Sequence, residues 1–286
     1  MTLECRLVFH FGVFCVSLML IVSAHAGEKT TNYGVFGPSS FSPQGETVLI
    51  RWDTEEGQTR LARSSYKNDF FQLADNFQPQ ANPLYCGIAS SVIVLNAMRL
   101  NRNEVPSQRS LEVVVPSAMG GGRLQYREYS QMTLLDERTE PVKARVVIEL
   151  KNAGDGAGKI QPGLTLAQLK GILEAYHVRV VLHYVDTDSE DAIRGFRKDL
   201  KAVLTDSERF LVVNFKGKAL GTSTDGHISP VAAYDEQSDS VLVLDVAGHR
   251  NPWYWAPAAD LYGAMHTLDG EHYRGYLVIE DAPALH

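Results

Sequence analysis

Apolar residues recur along the second half of the chain with the periods of helices and strands. Leu166, Leu169 and Leu173 share one helical face behind Thr165, a residue type that commonly caps helix N-termini, and they predict a helix over 165–176. Short apolar runs rich in β-branched residues predict strands at 178–185, 210–215, 227–234, 240–247 and 276–280. Two more helices are predicted at 189–204 and 258–265. The strands 227–234 and 240–247 are separated only by the turn DEQSD, so they are expected to form a hairpin.

The first half of the chain predicts helices more than strands. A short strand is expected at 48–52 and a helix near 54–63. The segment 67–83 is polar and rich in turn residues, and it predicts a loop. By contrast, CGIASSVIVLNAMRL at 86–100 is apolar nearly all round, which indicates a buried helix that starts just beyond Asn82-Pro83.

Residues 101–163 have the weakest pattern in the chain. They contain the glycine-rich stretches Gly120-Gly121-Gly122 and NAGDGAGK, with a strand expected between them at 142–150. A long excursion of this kind is typical of a lid or of the rim of a site.

The N-terminal segment has the layout of a secretory signal peptide. An apolar stretch over 7–23 is followed by Ala24-His25-Ala26, an A-x-A cleavage site. A retained membrane anchor is the alternative, and it is less favoured because His10 interrupts the apolar run and a cleavage site follows. We therefore predict a signal peptide over 1–26, a single domain over 27–286, and export to the periplasm without a stable membrane anchor.

Composition and charge narrow the fold and function classes. Hydrophobic residues make up 44% of the chain and charged residues 21%, as in ordinary soluble globular proteins. A net charge of -7 and a pI near 5.7 argue against nucleic-acid binding, which usually requires a basic face. The order of elements predicts the α+β class, with a helical part at about 54–176 and an antiparallel β-rich part at about 178–280.

Cysteine usage points to one chemically special residue. Cys5 and Cys15 would leave with the signal peptide, so Cys86 would be the only thiol of the exported protein. A lone thiol in an oxidising compartment cannot form an internal disulfide and is open to oxidation. It is therefore either buried and inert or retained for chemistry.

The surroundings of Cys86 favour chemistry. At the start of a helix, the partial positive charge of the N-terminus favours a thiolate, which is the nucleophilic form. Gln80 lies six positions upstream, and its amide could join the Cys86 backbone N–H in an oxyanion hole. A cysteine on an apolar helix is otherwise most often a core residue.

The base and its partner are expected on the predicted hairpin. His227 opens the first strand after Asp225-Gly226, and Asp245 ends the second behind the apolar run VLVL. Cross-strand side chains lie about 4.5–5.5 Å apart at Cβ, so a hydrogen bond between His227 and Asp245 is within reach. The order Cys, His, Asp is that of papain-like enzymes. It predicts a papain-like cysteine protease fold with Cys86 on a helical lobe and His227 and Asp245 on a β lobe.

At these residues the sequence resembles the phytochelatin synthase family, especially its short bacterial members. The likeness rests on DFFQLADNFQPQANPLYCGIASSVIVLNAM (69–98), GHISPVAAYDEQSDSVLVLDVA (226–247) and DLYGAMHTLDGEHYRGYLVIE (260–280). General papain-like proteases do not share the GHxSPxxxY segment or its spacing to the aspartate. The resemblance spans roughly residues 48–280.

The resemblance implies a reaction and a substrate. The cysteine would attack the Cys–Gly bond of glutathione and form a γ-Glu-Cys thioester. The acyl group would then pass to a second glutathione, giving phytochelatin, or to water. No tightly bound cofactor is implied; heavy-metal ions such as Cd or Zn would enter as thiolate complexes of glutathione. The oligomeric state is left open between a monomer and a homodimer.

The resemblance also implies substrate-binding residues, namely Gly226, Arg250, Asp269 and Arg274. Asp269 and Arg274 match positions that grip the amino and carboxylate ends of the γ-glutamyl group, which suits the chemistry of both side chains. The stretch after Asp245 departs from the family, because Gly248 stands at an arginine position and Arg250 at a lysine position. Since this loop borders the acceptor side in the family, hydrolysis is expected to exceed polymer synthesis.

Two functions from other classes are alternatives. A papain-like peptidase would share the triad but act on longer peptides through an open groove. A non-catalytic metal- or thiol-binding protein of the cell envelope would instead use His249, His266 and His272. No dedicated metal site is predicted, because the mature chain has one thiol and no paired histidine spacing such as H-x₃-H.

Overall fold

Residues 47–99, 112–114, 116–125, 128–149 and 162–281 are described by the computed structural model of the protein. They belong to one compact unit of the chain, Gly34–His286. The predicted signal peptide lies outside these ranges, so cleavage after Ala26 stays a prediction. Within the described ranges, none of the helices is both long enough and apolar enough to cross a bilayer.

The described helices number seven in chain order: α1 (Glu55–Arg63), α2 (Asn68–Asp75), α3 (Cys86–Arg99), α4 (Arg145–Ile148), α5 (Leu166–Glu174), α6 (Glu190–Leu204) and α7 (Ala258–Met265). The described strands are β1 (Ile50–Arg51), β2 (Glu112–Val114), β3 (Arg123–Gln125), β4 (Val178–Tyr184), β5 (Arg209–Lys216), β6 (Gly226–Asp235), β7 (Ser240–Val243), β8 (Tyr254–Pro257), β9 (Leu268–Asp269), β10 (His272–Tyr273) and β11 (Gly275–Asp281). Short 3₁₀ turns cover Ser117–Met119 and Gly217–Leu220.

A seven-stranded sheet in the order β1-β8-β7-β6-β5-β11-β4 forms the frame of the molecule. All its neighbouring strands are antiparallel. Strand β6 lies near the centre between β5 and β7, and its register with β7 shifts between Val231 and Ala233. The predicted hairpin of β6 and β7 is confirmed. Two short pairs, β2 with β3 and β9 with β10, lie outside this sheet.

Alternate residues of the sheet face two different helical layers. On β5, Phe210 and Val212 pack in a core cluster with residues of α3 and α5. Leu211 and Val213, one position out of phase, pack with residues of α6 and α7. This period of two is the one expected for a strand buried on both faces. The protein is therefore a mixed α/β structure built on an antiparallel sheet.

Several helix predictions are confirmed together with their caps. Thr165 accepts a hydrogen bond from Gln168 N, and the Gln168 side chain returns one to Thr165 N, forming a capping box at the start of α5. At the start of α6, the Ser189 side chain accepts a hydrogen bond from Ala192 N and caps the helix. Helix α3 is buried along nearly its whole length, as its apolar sequence predicts.

Three local predictions were wrong. The segment 67–83 contains helix α2, because Phe70 and Leu73, three positions apart, bury one face of an otherwise polar stretch. The expected strand at 142–150 is instead the single helical turn α4; Ile148 is buried in the core, and no described strand pairs with it. The second strand of the hairpin ends at Val243 rather than at 247.

Candidate active site

Cys86 is the first residue of α3. The Asn82 carbonyl accepts from Tyr85 N at 2.9 Å and the Asn82 side chain accepts from Leu84 N at 3.0 Å, so Asn82 holds the turn that leads into the helix. Cys86 is half-buried and is a free thiol. The backbone N–H groups of a first helical turn have no intrahelical acceptor, so they point towards the same end of α3 as the thiol.

Gly87 allows α3 to approach the sheet closely. A Cβ at this position would lie 3.2 Å from a Leu164 methyl group and 3.3 Å from an Ile228 methyl group. Ile228 follows His227 directly in β6, and Ser90 Oγ donates to the Ile228 carbonyl at 3.1 Å. The small residue after the cysteine therefore fixes the first turn of α3 against the strand that carries the histidine.

His227 and Asp245 meet as predicted. His227 Nε2 lies 2.7 Å from Asp245 Oδ1, and both side chains are buried. Asp245 stands two residues beyond the end of β7 rather than on it. The chain turns there because the Asp245 carboxylate accepts from Ala247 N at 2.8 Å. Since Nε2 is occupied by the carboxylate, Nδ1 is the ring nitrogen left for a thiol.

The charge state of His227 is set by its neighbours. Burial acts to lower the pKa of the imidazole, but the charge and hydrogen bond of Asp245 raise it, with a further contribution from the Cys86 thiol within reach of the ring. The net effect raises the pKa of His227 to about 10 from 6.5. The ring is therefore an imidazolium at neutral pH, placed between a carboxylate and a thiol.

Three further side chains surround the pair, and the sequence reasoning did not find them. Asn251 Nδ2 donates to Asp245 Oδ2 at 3.1 Å, and Ser229 Oγ lies 3.1 Å from His227 Nε2. The Tyr254 hydroxyl is buried beside Asp245, and burial together with the charge and hydrogen bonding of Asp245 raises its pKa well above the ordinary value. Ser229 shares a strand face with His227, which a period of two could have indicated; Asn251 carries no such signal.

Gln80 lies beside this group. Its backbone N–H donates to Val246 O at 2.8 Å, which ties it to the chain segment after Asp245. Its amide Nε2 donates to Asn82 O at 2.9 Å. An amide nitrogen has two hydrogens, so one donor remains for an oxyanion.

Three of the four predicted substrate-binding residues come together. Gly226 precedes His227, and a Cβ on it would lie 3.0 Å from an Arg274 guanidinium nitrogen. The same nitrogen, Nη2, lies 3.6 Å from Asp269 Oδ1. Arg274 is buried, and its Nη1 donates to Thr267 Oγ1 and to the Leu268 carbonyl. Arg250 is not part of this group; its exposed side chain forms no hydrogen bond or ion pair with the described residues.

Two more polar residues adjoin Asp269 and were not predicted. Asn214 Nδ2 donates to Asp269 Oδ2 at 2.9 Å. Lys143 donates to Gly163 O and Gln168 Oε1, and burial lowers its pKa while the charge of Asp269 opposes that shift. Asn214 could have been noticed as a buried amide inside the apolar strand FLVVNF.

The three histidines of the metal-binding alternative each have different neighbours. His266 Nδ1 lies 3.0 Å from Val185 O and its ring stacks on Tyr273, whereas the ring of His272 stacks on Tyr184. His249 borders a separate cavity next to Gln80. In the part of the chain that the structure describes, no group of three or more His, Cys, Asp or Glu side chains is arranged to hold a metal ion.

The known proteins that this chain resembles share one name, glutathione gamma-glutamylcysteinyltransferase. The chain is 27% identical over 241 residues to glutathione gamma-glutamylcysteinyltransferase 3 of Lotus japonicus, covering 83% of this chain and 41% of that protein. It is 25% identical over 252 residues to glutathione gamma-glutamylcysteinyltransferase of Schizosaccharomyces pombe, covering 86% and 52%. A third relative, glutathione gamma-glutamylcysteinyltransferase 1 of Arabidopsis thaliana, is 27% identical over 214 residues, covering 73% and 36%.

The chain thus spans between 36% and 52% of the length of these three relatives. The family model for phytochelatin synthase matches residues 44–276, which include α3, the strand pair around His227 and the short hairpin with Asp269. Since that match extends over most of the sequence, the chain belongs to the phytochelatin synthase family.

Proposed function

We propose that this protein is a glutathione γ-glutamylcysteinyltransferase that cleaves the Cys–Gly bond of glutathione with Cys86 as nucleophile. The observation that carries the proposal is the buried pair of His227 and Asp245 beside the thiol at the start of α3. Names of the relatives support the substrate class. The Cys-His-Asp order and the placement of the thiol at a helix N-terminus also support a papain-like fold, with Cys86 on the helical side and His227 on the sheet.

The first half of the reaction forms a thioester. The Cys86 thiolate, favoured by the imidazolium and by the helix N-terminus, attacks the carbonyl carbon of the Cys–Gly bond. The developing oxyanion accepts hydrogen bonds from the Cys86 N–H and from the free Gln80 amide hydrogen. His227 gives its proton to the glycine nitrogen, the C–N bond breaks, and glycine leaves. The γ-Glu-Cys group remains on Cys86 as a thioester.

The second half transfers the acyl group. Neutral His227 accepts a proton from the amino group of a second glutathione, or from water, as that nucleophile attacks the thioester carbonyl. The C–S bond breaks and returns Cys86 to the thiolate. The products are a phytochelatin in the first case and γ-Glu-Cys in the second. Asp245 keeps the imidazole oriented throughout and stabilises its charged form.

The group of Gly226, Arg274 and Asp269 fits the free end of the γ-glutamyl group. Arg274 offers a guanidinium that suits the α-carboxylate, and Asp269 offers an acceptor for the α-amino group. Glycine at position 226 lets the Arg274 guanidinium approach the strand that carries His227, because an added Cβ would lie 3.0 Å from Arg274 Nη2. Heavy-metal ions such as Cd²⁺ or Zn²⁺ would be part of the substrate, bound as glutathione thiolates.

Glycine release from glutathione tests the proposal. We expect Cys86→Ser and His227→Ala each to lower the rate by a factor of ~10³ or more, as at other acyl-transfer triads. Mass spectrometry of the products, with and without Cd²⁺, would give the ratio of γ-Glu-Cys to phytochelatin. His177→Asn is the control, because this histidine is exposed just before β4 and asparagine tolerates its positive φ of 58°.

Several outcomes would contradict the proposal. Turnover of the His227→Ala variant at the wild-type rate would remove this residue from the role of base. Cleavage of ordinary peptides but not of glutathione would favour the papain-like peptidase. A wild-type protein that turns over no glutathione, and whose metal binding is unchanged in Cys86→Ala, would favour a binding protein. Export to the periplasm is proposed from the N-terminal segment alone, and the mass of the mature chain, expected to begin near Gly27, would test it.

A further inference from the structure

A cavity of about 660 Å³ opens next to the proposed oxyanion hole. One wall is formed by the segment from Phe77 to Pro83, which includes Gln80, and the other by Gly248 and His249. One hydrogen bond ties the first wall to the chain segment that leads into the second. Gln80 N donates to Val246 O at 2.8 Å, and a Cβ at Gly248 would lie 3.7 Å from Pro79 Cβ.

The cavity shares no described lining residue with the part of the site suited to the γ-glutamyl group. Gly226, Asp269 and Arg274, the residues suited to that group, are absent from its lining, whereas Gln80 lines it directly. An acyl group bound between Cys86 and Arg274 therefore directs the other side of the scissile bond past Gln80. The same side must receive both the leaving amine and the amine that later replaces it, because the two occupy equivalent positions at the carbonyl.

The walls of the cavity are mostly apolar. Phe77, Pro79, Ala81 and Pro83 contribute hydrocarbon surface, and the Trp253 ring packs against Phe77 with centroids 4.9 Å apart. Among the described residues that line it, His249 is the one with a titratable side chain, and none of them is a lysine, arginine or carboxylate. Such a surface stabilises a bound apolar side chain, because both lose contact with water. It offers few favourable interactions to a second, charged γ-glutamyl group.

We propose that this cavity binds the residue on the amine side of the scissile bond and selects apolar side chains there. This inference rests on the proposed function, since it assigns the leaving-group and acceptor side of the same reaction. The substrate class is γ-Glu-Cys-Xaa with Xaa larger and more apolar than glycine, and the matching acceptors are apolar amino acid amides. In transfer, the acceptor nitrogen forms a C–N bond with the acyl carbon, the C–S bond to Cys86 breaks, and His227 takes the proton.

A tripeptide series provides the test. The wild-type protein is given γ-Glu-Cys-Gly, γ-Glu-Cys-Leu, γ-Glu-Cys-Phe and γ-Glu-Cys-Glu, and release of the last residue is measured. Apolar pockets discriminate by factors of about 10 to 200 for small changes in side-chain size. We expect kcat/KM for the leucine and phenylalanine peptides to exceed that for glutathione by about tenfold, and the glutamate peptide to fall below it.

Three variants test whether the cavity causes this substrate preference. Gly248→Phe places a ring across the cavity and is expected to lower the leucine-to-glycine ratio of kcat/KM by roughly tenfold. Gly248→Ala, whose added Cβ has an ordinary contact at 3.7 Å, should lower it less and guards against misfolding of the larger variant. Gly195→Phe, on α6 with no atom within 4 Å of the added Cβ, should keep the wild-type ratio.

The outcomes separate the two proposals. If no peptide of the series loses its last residue, the proposed function fails. If glycine is released readily while leucine and phenylalanine are released no faster, the proposed function stands and the apolar subsite is wrong. A leucine-to-glycine ratio unchanged in Gly248→Phe would also overturn the subsite, because the side chain would then bind elsewhere.

Discussion

Among the described residues, two aspartates have no exposed surface, and they differ in what surrounds them. Asp245 has no exposed surface, yet its oxygens accept hydrogen bonds from His227, Ala247 N and Asn251. Asp69, in the first turn of α2, has none exposed either, and neither of its oxygens has a hydrogen-bond partner among the described residues. Burial, with a smaller contribution from the charge of Asp206, raises the pKa of Asp69 to about 9.

The difference shows how the protein keeps a charge in its interior. A buried carboxylate is costly unless donors and a countercharge surround it. Asp245 has both, so its negative charge is available to hold His227 as an imidazolium. Asp69 has neither, and the weak favourable field of a helix N-terminus does not offset its burial, so it is protonated at neutral pH. The partners of an interior carboxylate, and not its depth, decide whether it is charged or neutral.

Of the two buried aspartates, Asp245 is expected to give the larger effect when its charge is removed. Asp245→Asn preserves the shape of the side chain and an oxygen that can accept from His227, but it removes the countercharge of the imidazolium. We expect kcat/KM for glycine release to fall by about 10² or more, which is less than in His227→Ala. Asp191→Asn, on the exposed side of α6, is the control. Full activity of Asp245→Asn would mean that the charge is not required.

A smaller effect of opposite sign is expected at Asp69. An acid whose pKa is raised in the folded state holds its proton longer than in the unfolded chain, so its contribution to stability is complete below about pH 4 and is lost as the pH rises towards 9. Asp69→Asn cannot ionise. We expect it to raise the free energy of unfolding by about 2 kcal/mol or more at pH 7 and to change it little at pH 3.

Urea unfolding of the wild type and Asp69→Asn between pH 3 and pH 9 would measure this difference. The gap between the two curves should widen with pH over that range. Asp206→Asn is the companion variant, because it removes the nearby charge and should reproduce a smaller part of the gain. A gap that stays constant with pH would show that Asp69 ionises in the folded protein as readily as in the unfolded chain.

A smaller effect on turnover than that of Asp245→Asn is expected from loosening the surroundings of Asp245. Asn251→Ala removes the amide hydrogen bond to Asp245 Oδ2 at 3.1 Å while leaving the bond to His227. Hydrogen bonds to charged groups contribute about 1.5–3 kcal/mol, so we expect a loss in stability of that order and roughly tenfold lower kcat at similar KM. A stability loss with kcat unchanged would make Asn251 structural only.

Local regularities of the chain were predictable, and the errors have physical causes. The capping box at Thr165 and the buried helix from Cys86 follow from residue types and from a period of 3.6, which depend on the backbone alone. Helix α2 was missed because two buried aromatic and aliphatic side chains, Phe70 and Leu73, outweigh its polar composition. The stretch 142–150 has β-branched residues typical of a strand, but no strand of the described ranges pairs with it, and Arg145–Ile148 form a helical turn.

The sequence by itself determined most of the elements, the isolated thiol at a helix start, and a histidine and an aspartate flanking one hairpin. Only the tertiary structure decided that Asn251, Ser229 and Tyr254 enclose that pair. The same holds for the approach of Arg274 to Gly226 and Asp269, and for the apolar cavity beside Gln80. The physical reason is range. Backbone periodicity acts between near neighbours, whereas a charge inside the protein depends on which distant segments the sheet brings against it.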